Sequence, residues 1–388
     1  MATLGIAVIA LPACNSVGGG KTLTIETDYA HDEFAGSMWG FFPNKVTVRP
    51  GMTLKFHQTW TGEAHTVTMG TRVAELVAPF RDVLDEYFDT GILGEEPEGV
   101  QAFMEGLPFF FGEQGVNQTA AQPCLARSAD EIPSDESACA NRTLQPFKGD
   151  EAYYNSGFIP FEGSRGNTFE LPIAQDAKPG TYFYYCNLHG SPMGGEITVT
   201  DDGEASRQSA LNRRAKVEAD RMAKALLEVY RDEKAGKSKI KGNLAGSGDE
   251  RTEHVFGVVN EFTPRTIETK VGEKVTWTML GHNLSFNVPP YAPIFTIKNN
   301  GEVEFNSNLD EPSGGWPGRT PALSEAPNAP EPKPVHIDAG AFDGSGGFKS
   351  NGTGWANGDI YSVTFTKKGT YPYACIVHPG MIAKVVVN

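Results

Sequence analysis

The sequence is poor in cysteine, with five in 388 residues, too few for a scaffold built on disulfides. Outside the extreme N-terminus it has no run of 18 apolar residues, which argues against an integral membrane protein. It is also short of basic residues, with 33 Lys and Arg against 48 Asp and Glu and a net charge of −15. A general nucleic-acid binder would show a basic face instead. Glycine (44) and proline (26) are abundant, which favours strands joined by long turns over a helical bundle. The length predicts two or three units, each with its own core.

Residues 4–13, LGIAVIALPA, form one apolar stretch followed by Cys14 and a Gly-rich spacer. The stretch is too short to span a bilayer and reads as the h-region of a signal peptide, so export is expected, with 1–20 as leader and spacer. Leu11-Pro12-Ala13-Cys14 is similar to a bacterial lipobox, which would lipidate Cys14 and anchor the chain to a membrane. An ordinary cleaved leader is the other reading, since the n-region has no Lys or Arg.

Alternating apolar and polar positions in TLTIETDY, KVTVRPG and TLKFHQTW predict strands. Between 71 and 115 the pattern turns to short helices broken by Gly and Pro, and 116–170 reads as polar and irregular. Strand signals return at GTYFYYCNLHG and GGEITVTD. Residues 201–250 carry 11 basic and 10 acidic residues, and Leu211, Ala215, Met222, Leu226 and Val229 fall near helical spacing. This predicts an amphipathic, salt-laced helix over 204–235, with a soluble linker after it.

From 252 the strand pattern restarts, and the chain repeats itself. FFPNKVTVRPGMTLKFHQTWTGEAHTVTM parallels FTPRTIETKVGEKVTWTMLGHNLSF, and KPGTYFYYCNLHGSPMGGEITV parallels KKGTYPYACIVHPGMIAKVVV. The expected organisation is a first unit at 21–202 with an insert at 71–176, a helical linker at 203–250, and a second unit at 251–388 with an insert at 289–357.

Each copy ends in Cys-x-x-His with a Met close behind: Cys186, His189 and Met193, then Cys375, His378 and Met381. Each also has a His at the start of an earlier strand, His65 or His282. One thiolate, two imidazoles and a thioether make a soft donor set that selects copper, and His2Cys with an axial Met is the blue-copper arrangement. Zinc accepts Cys and His, but its sites usually bring Cys in pairs and seldom use Met. Four of the eight histidines fall in these two motifs.

Both copies resemble cupredoxins, the plastocyanin/amicyanin-like type 1 copper proteins, over roughly 24–70 with 178–200 and 255–290 with 358–388. The resemblance implies a mainly β protein of two Greek-key sandwiches with helical and irregular inserts. It implies two type 1 copper sites, with His65 and His282 as first ligands, Cys186 and Cys375 as thiolates, His189 and His378 as exposed second imidazoles, and Met193 and Met381 as axial ligands. Electrons would leave at the exposed histidine edge, near Gly190 and Pro379. The loop CIVHPGM has amicyanin-like spacing, and CNLHGSPM is one residue longer. Asn283 after His282 is also similar to the family pattern. Tyr182, Tyr184, Tyr185, Tyr371 and Tyr373 are expected to keep water off the thiolates.

The function implied is electron transfer outside the cytoplasm, at the periplasmic or extracellular face of the membrane. Copper delivery is the alternative. A copper oxidase or nitrite reductase is a further one, but the His-x-His pairs and His-Cys-His run of multicopper oxidases are missing, and Asn187 and Ile376 stand where a nitrite reductase would wire a second copper. Cys124 and Cys139 are expected to pair, leaving Cys14 for lipid. Residues 1–200 hold 25 acidic against 11 basic residues, so redox partners with a basic face would suit the first unit. The inserts are expected to pack on a sandwich face or shield the copper edge, with Phe109, Phe110 and Phe111 buried.

Overall fold

The computed structural model describes residues 21–388 apart from 60–62, 93, 95–98, 113–114, 160–166, 290–294, 307–310, 320–332, 354, 356 and 379. The leader, Cys14 and Pro379 therefore lie outside the described residues.

Two β-sandwiches follow one another. In the first, a four-stranded sheet runs in the order Thr168–Pro172, Thr53–Gln58, Thr22–Thr27, Phe41–Phe42. It faces a six-stranded sheet ordered Lys45–Val48, Gly190–Val199, Gly180–Cys186, Thr68–Met69, Tyr153–Ser156, Pro123–Ala126. The alternation read in the sequence is the alternation in burial: Leu23, Ile25, Leu54 and Phe56 are fully buried between strand neighbours that are not. Thr22–Thr27 lies parallel to Thr53–Gln58, and Lys45–Val48 parallel to Gly190–Val199. These crossovers give the Greek-key winding.

The second sandwich repeats the plan. Asn243–Ala245 lies parallel to Lys274–Met279, and Thr266–Thr269 parallel to Ile382–Val387. Phe42-Pro43 and Thr263-Pro264 are both cis, at matching places in the two copies. Its core is aromatic, with Trp277, Phe286, Tyr361 and Tyr373 buried and the Trp277 Nε1–H donating to the Tyr373 hydroxyl at 3.1 Å. The strand Asn243–Ala245 moves the start of this unit back into the segment read as linker. It is too short to display a period of two, so patterning did not reveal it.

The helical insert and the predicted long helix, Gln208–Lys234, form a third layer on the first unit. Strand Gly180–Cys186 shows how. Tyr184 and Cys186 face the sandwich core, whereas Phe183 and Tyr185 face a cluster containing Val73, Phe80, Leu84, Phe103, Ala219 and Met222. Tyr185 thus points away from the thiolate it was expected to shield. With both faces covered, Pro123–Ala126 and Tyr153–Ser156 are almost wholly buried and lack alternation. This is why the segment 116–170 read as irregular although it supplies two strands to the sheet. Cys124 and Cys139 form a disulfide there.

The two units are joined by backbone. Gly36–Met38 pairs antiparallel with Gly257–Val259, and Asn260 N–H donates to the Ala35 carbonyl at 2.7 Å. Glu261 accepts from the Ala35 N–H and from the Tyr230 hydroxyl, each at 3.1 Å, tying the long helix to the junction. The two inserts also meet. Phe110 of the first packs against Phe295 and Phe305 of the second, and Gln118 exchanges two 2.9 Å hydrogen bonds with the backbone of Val303. Phe109 is half-buried, and the Phe111 side chain lies outside the described residues.

Candidate metal centres

In the first unit His65 precedes the short strand Thr68–Met69, and Cys186 ends the neighbouring strand Gly180–Cys186. A register shift after Tyr185 and a left-handed Gly190 (φ 76°) turn the chain at once, so that His189 folds back over Cys186. Cys186 Sγ lies 3.9 Å from His65 Nδ1 and 3.6 Å from His189 Nδ1, and the two Nδ1 atoms are 3.2 Å apart. The Thr66 N–H points at the sulfur from 3.4 Å. Met193, on the outgoing strand, is fully buried in the same core cluster as Cys186.

The second unit reproduces this geometry. Cys375 Sγ is 3.8 Å from His282 Nδ1 and 3.6 Å from His378 Nδ1, with the two nitrogens 3.0 Å apart. Its loop is closed by Met381 N–H to the His378 carbonyl at 3.0 Å and Cys375 N–H to the Met381 carbonyl at 3.1 Å. Met381 is buried in the Cys375 cluster. Asn283 anchors the loop by accepting the Ile376 N–H at 2.9 Å, the place that Thr66 fills in the first unit by accepting the Asn187 N–H.

All four imidazoles are fixed at their outer nitrogen. His65 Nε2 is 3.2 Å from Asp28 Oδ2, and His282 Nε2 is 3.0 Å from the Val259 carbonyl. His189 and His378 both turn Nε2 to the carboxylate of Glu63, at 2.7 and 2.9 Å. Such partners set the tautomer and aim Nδ1 inward.

Electrostatics fits a cation between these donors. Burial pushes the Cys186 and Cys375 thiols up, but the imidazoles beside them prevail and hold both well below the usual thiol range. Burial likewise pulls His65 and His378 down. Asp28 and Cys186 outweigh it at His65, and Cys375 and Glu63 at His378, so that both rise to about 10. Glu63, despite burial, is held well below its ordinary value by hydrogen bonds from His189 and His378. Buried sulfur that favours thiolate, with two ring nitrogens converging on one point, is a donor set that a soft metal ion would complete.

Residues 257–388 match the family of copper-binding proteins that includes plastocyanin and azurin. The second unit belongs to this family. The first repeats its winding and its donor triangle. Among solved structures the chain is similar to a mutant of amicyanin in its reduced Cu(I) form (24% identity, 33% of this chain and 73% of that chain, TM-score 0.17). It is also similar to a purple cupredoxin from Nitrosopumilus maritimus (20%, 38% and 97%, 0.16) and to plastocyanin from Dryopteris crassirhizoma (16%, 46% and 99%, 0.19). No curated protein matches it.

In each unit the expected Cys and two His are brought together, with the Met in the same core cluster as the Cys, but one expectation is corrected. His189 and His378 are not exposed edges: their side chains are only 10% and 5% accessible. Gly190 is buried as well. The two imidazoles face each other across the junction and are covered by it. The sequence reading missed Asp28 and Glu63. One signal for Glu63 was available: aligning TWTGEAHT with TWTMLGHN puts Leu280 opposite Glu63, an acid in one copy where the other is apolar. His57 pairs with Glu26 at 2.6 Å on the sheet surface, and His336 sits on an edge strand bonded to Ser362. Among the described residues, the groups of three or more His, Cys, Asp or Glu able to hold a metal are the two described above.

Proposed function

We propose that this protein carries single electrons between redox proteins outside the cytoplasm through two type 1 copper centres. One is held by His65, Cys186, His189 and Met193, the other by His282, Cys375, His378 and Met381. The observation that carries this reading is the pair of matching triangles, in which one buried sulfur and two inward Nδ1 atoms converge and every outer nitrogen has an acceptor.

Copper, when bound, supplies reversible one-electron chemistry. The residues of the chain do the rest. Asp28, Glu63 and the Val259 carbonyl lock the ring orientations, so the donors need not move as charge changes. The sandwich cores keep water from the thiolates. Burial of both donor sets favours retention of the metal over delivery. A disulfide at Cys124–Cys139 supports an oxidising compartment. We read 1–20 as the export leader, with Cys14 as the residue that would take a lipid. The excess of acid in the first unit suits partners with basic faces.

Metal analysis with a visible spectrum tests the reading. Two coppers per chain and an intense band at about 600 nm are expected, with Cys186→Ser and Cys375→Ser each removing one copper. A chain purified without copper overturns it, and colourless copper that a chelator strips within seconds would favour delivery.

A further inference from the structure

Glu63 belongs to the first unit but serves both. Its Oε2 lies 2.7 Å from Nε2 of His189 and its Oε1 lies 2.9 Å from Nε2 of His378. Each ring turns its other nitrogen to its own cysteine. One carboxylate therefore links the two donor triangles through two hydrogen bonds, and ring and bond dimensions limit the Nδ1-to-Nδ1 span to about 12 Å.

Burying an acid at a contact between units is costly unless strong donors meet it. Simple adhesion does not require one, since Leu280 occupies the matching place in the second copy. The flank of His189 is closed as well. Trp39 stacks on His189 at 5.0 Å, and Phe256 meets the same ring edge-on at 6.4 Å. The rings are thus aimed at each other and away from solvent.

Resting on the electron-carrier reading, we propose that Glu63 joins the two centres into one coupled pair. Electrons cross between the units along His189–Glu63–His378, and these two rings serve exchange within the chain, not contact with outside proteins. In each crossing one centre is oxidised by one electron and the other reduced by one. No covalent bond forms or breaks, and both Nε2 protons stay on their rings. The group is suited to the task because it has two acceptor oxygens for two N–H donors. An amide has one, and apolar Leu has none.

The test uses the full copper-loaded chain with Glu63→Gln and Glu63→Leu. In the reduced, diamagnetic wild type, nuclear magnetic resonance should show two slowly exchanging Nε2 protons, from His189 and His378. Glu63→Gln should lose one, and Glu63→Leu both. Losing an outer-nitrogen partner should weaken copper at both centres, so the variants are measured in excess copper; after fast partial reduction, exchange between the centres should slow by roughly tenfold or more in Glu63→Leu and by less in Glu63→Gln. If Glu63→Leu does not fold, Glu63→Gln decides alone. Unchanged exchange rates in folded variants holding two coppers overturn the coupling and leave the electron carrier standing. A wild type without copper overturns the carrier reading itself.

Discussion

Trp39 lies flat on the His189 ring, with 5.0 Å between centroids and 19° between planes. It is held there by the junction, because its backbone N–H donates to the Phe256 carbonyl at 3.1 Å and the Phe256 ring closes on the indole edge-on. Trp39→Ala would admit water beside this ligand. Water stabilises the more highly charged oxidised state, so the reduction potential of the first centre should fall while that of the second stays close to its wild-type value. Spectroelectrochemistry of the two centres checks this. Stability should drop by about 2 kcal/mol, below the range for a fully buried Trp because this one is partly exposed.

Asp28 makes the two donor triangles unequal. Its carboxylate backs His65, whereas a neutral carbonyl backs His282. A buried negative charge favours the oxidised metal, so the first centre should have the lower potential and electrons should settle on the second. Asp28→Asn keeps the left-handed backbone found there (φ 62°), which Asn tolerates. It should raise the first potential toward the second and weaken copper binding at the first centre by roughly 10- to 100-fold. Competitive chelator titration and redox titration measure both effects.

Glu233, on the long helix, accepts from the Ser247 hydroxyl, and burial raises its carboxyl from 4.5 to about 7. An acid with a raised folded value holds its proton more tightly when folded. Its contribution to stability is therefore lost as pH climbs from about 4.5 to 7, and stays lost above that. Urea unfolding at pH 5 and pH 8 should show a loss on the order of 1–2 kcal/mol from this group. Glu233→Gln should remove that part of the difference. An unchanged pH gap in the variant would rule the assignment out.

Cys124–Cys139 closes a loop across a sequence separation of 15 residues. Replacing both with Ala should cost about 3 kcal/mol, read from denaturant curves with and without reductant. The optical signature of both copper centres should be unaffected, because the bridge sits in the face turned toward the helical layer.

The Cys, second His and Met of each unit were legible because they lie close together in sequence, and the distant His65 and His282 because the repeat places them at matching strands. Cys-x-x-His followed by Met is one hairpin, and its second appearance in register removes coincidence. Strands with one face covered, such as Thr22–Thr27 and Thr53–Gln58, announced themselves by alternation, and the helix Gln208–Lys234 by its apolar stripe. Pro123–Ala126 and Tyr153–Ser156 did not, because sheet and helices cover them on both sides and erase the period. Asp28 and Glu63 are different again. Asp28 lies 37 residues from the imidazole it holds and Glu63 lies 315 residues from one of its two, so only the fold brings them together. The burial of His189 and His378 has the same origin: a resemblance to small one-unit proteins carries no information about what a second unit covers.

The aromatic clasp between the inserts reaches the first donor loop. Phe110, Phe158, Phe295 and Phe305 form one cluster with Leu188, the residue just before His189. A shift of either insert is therefore passed through Leu188 to the loop that carries His189, so the inserts brace that loop from outside the sandwich.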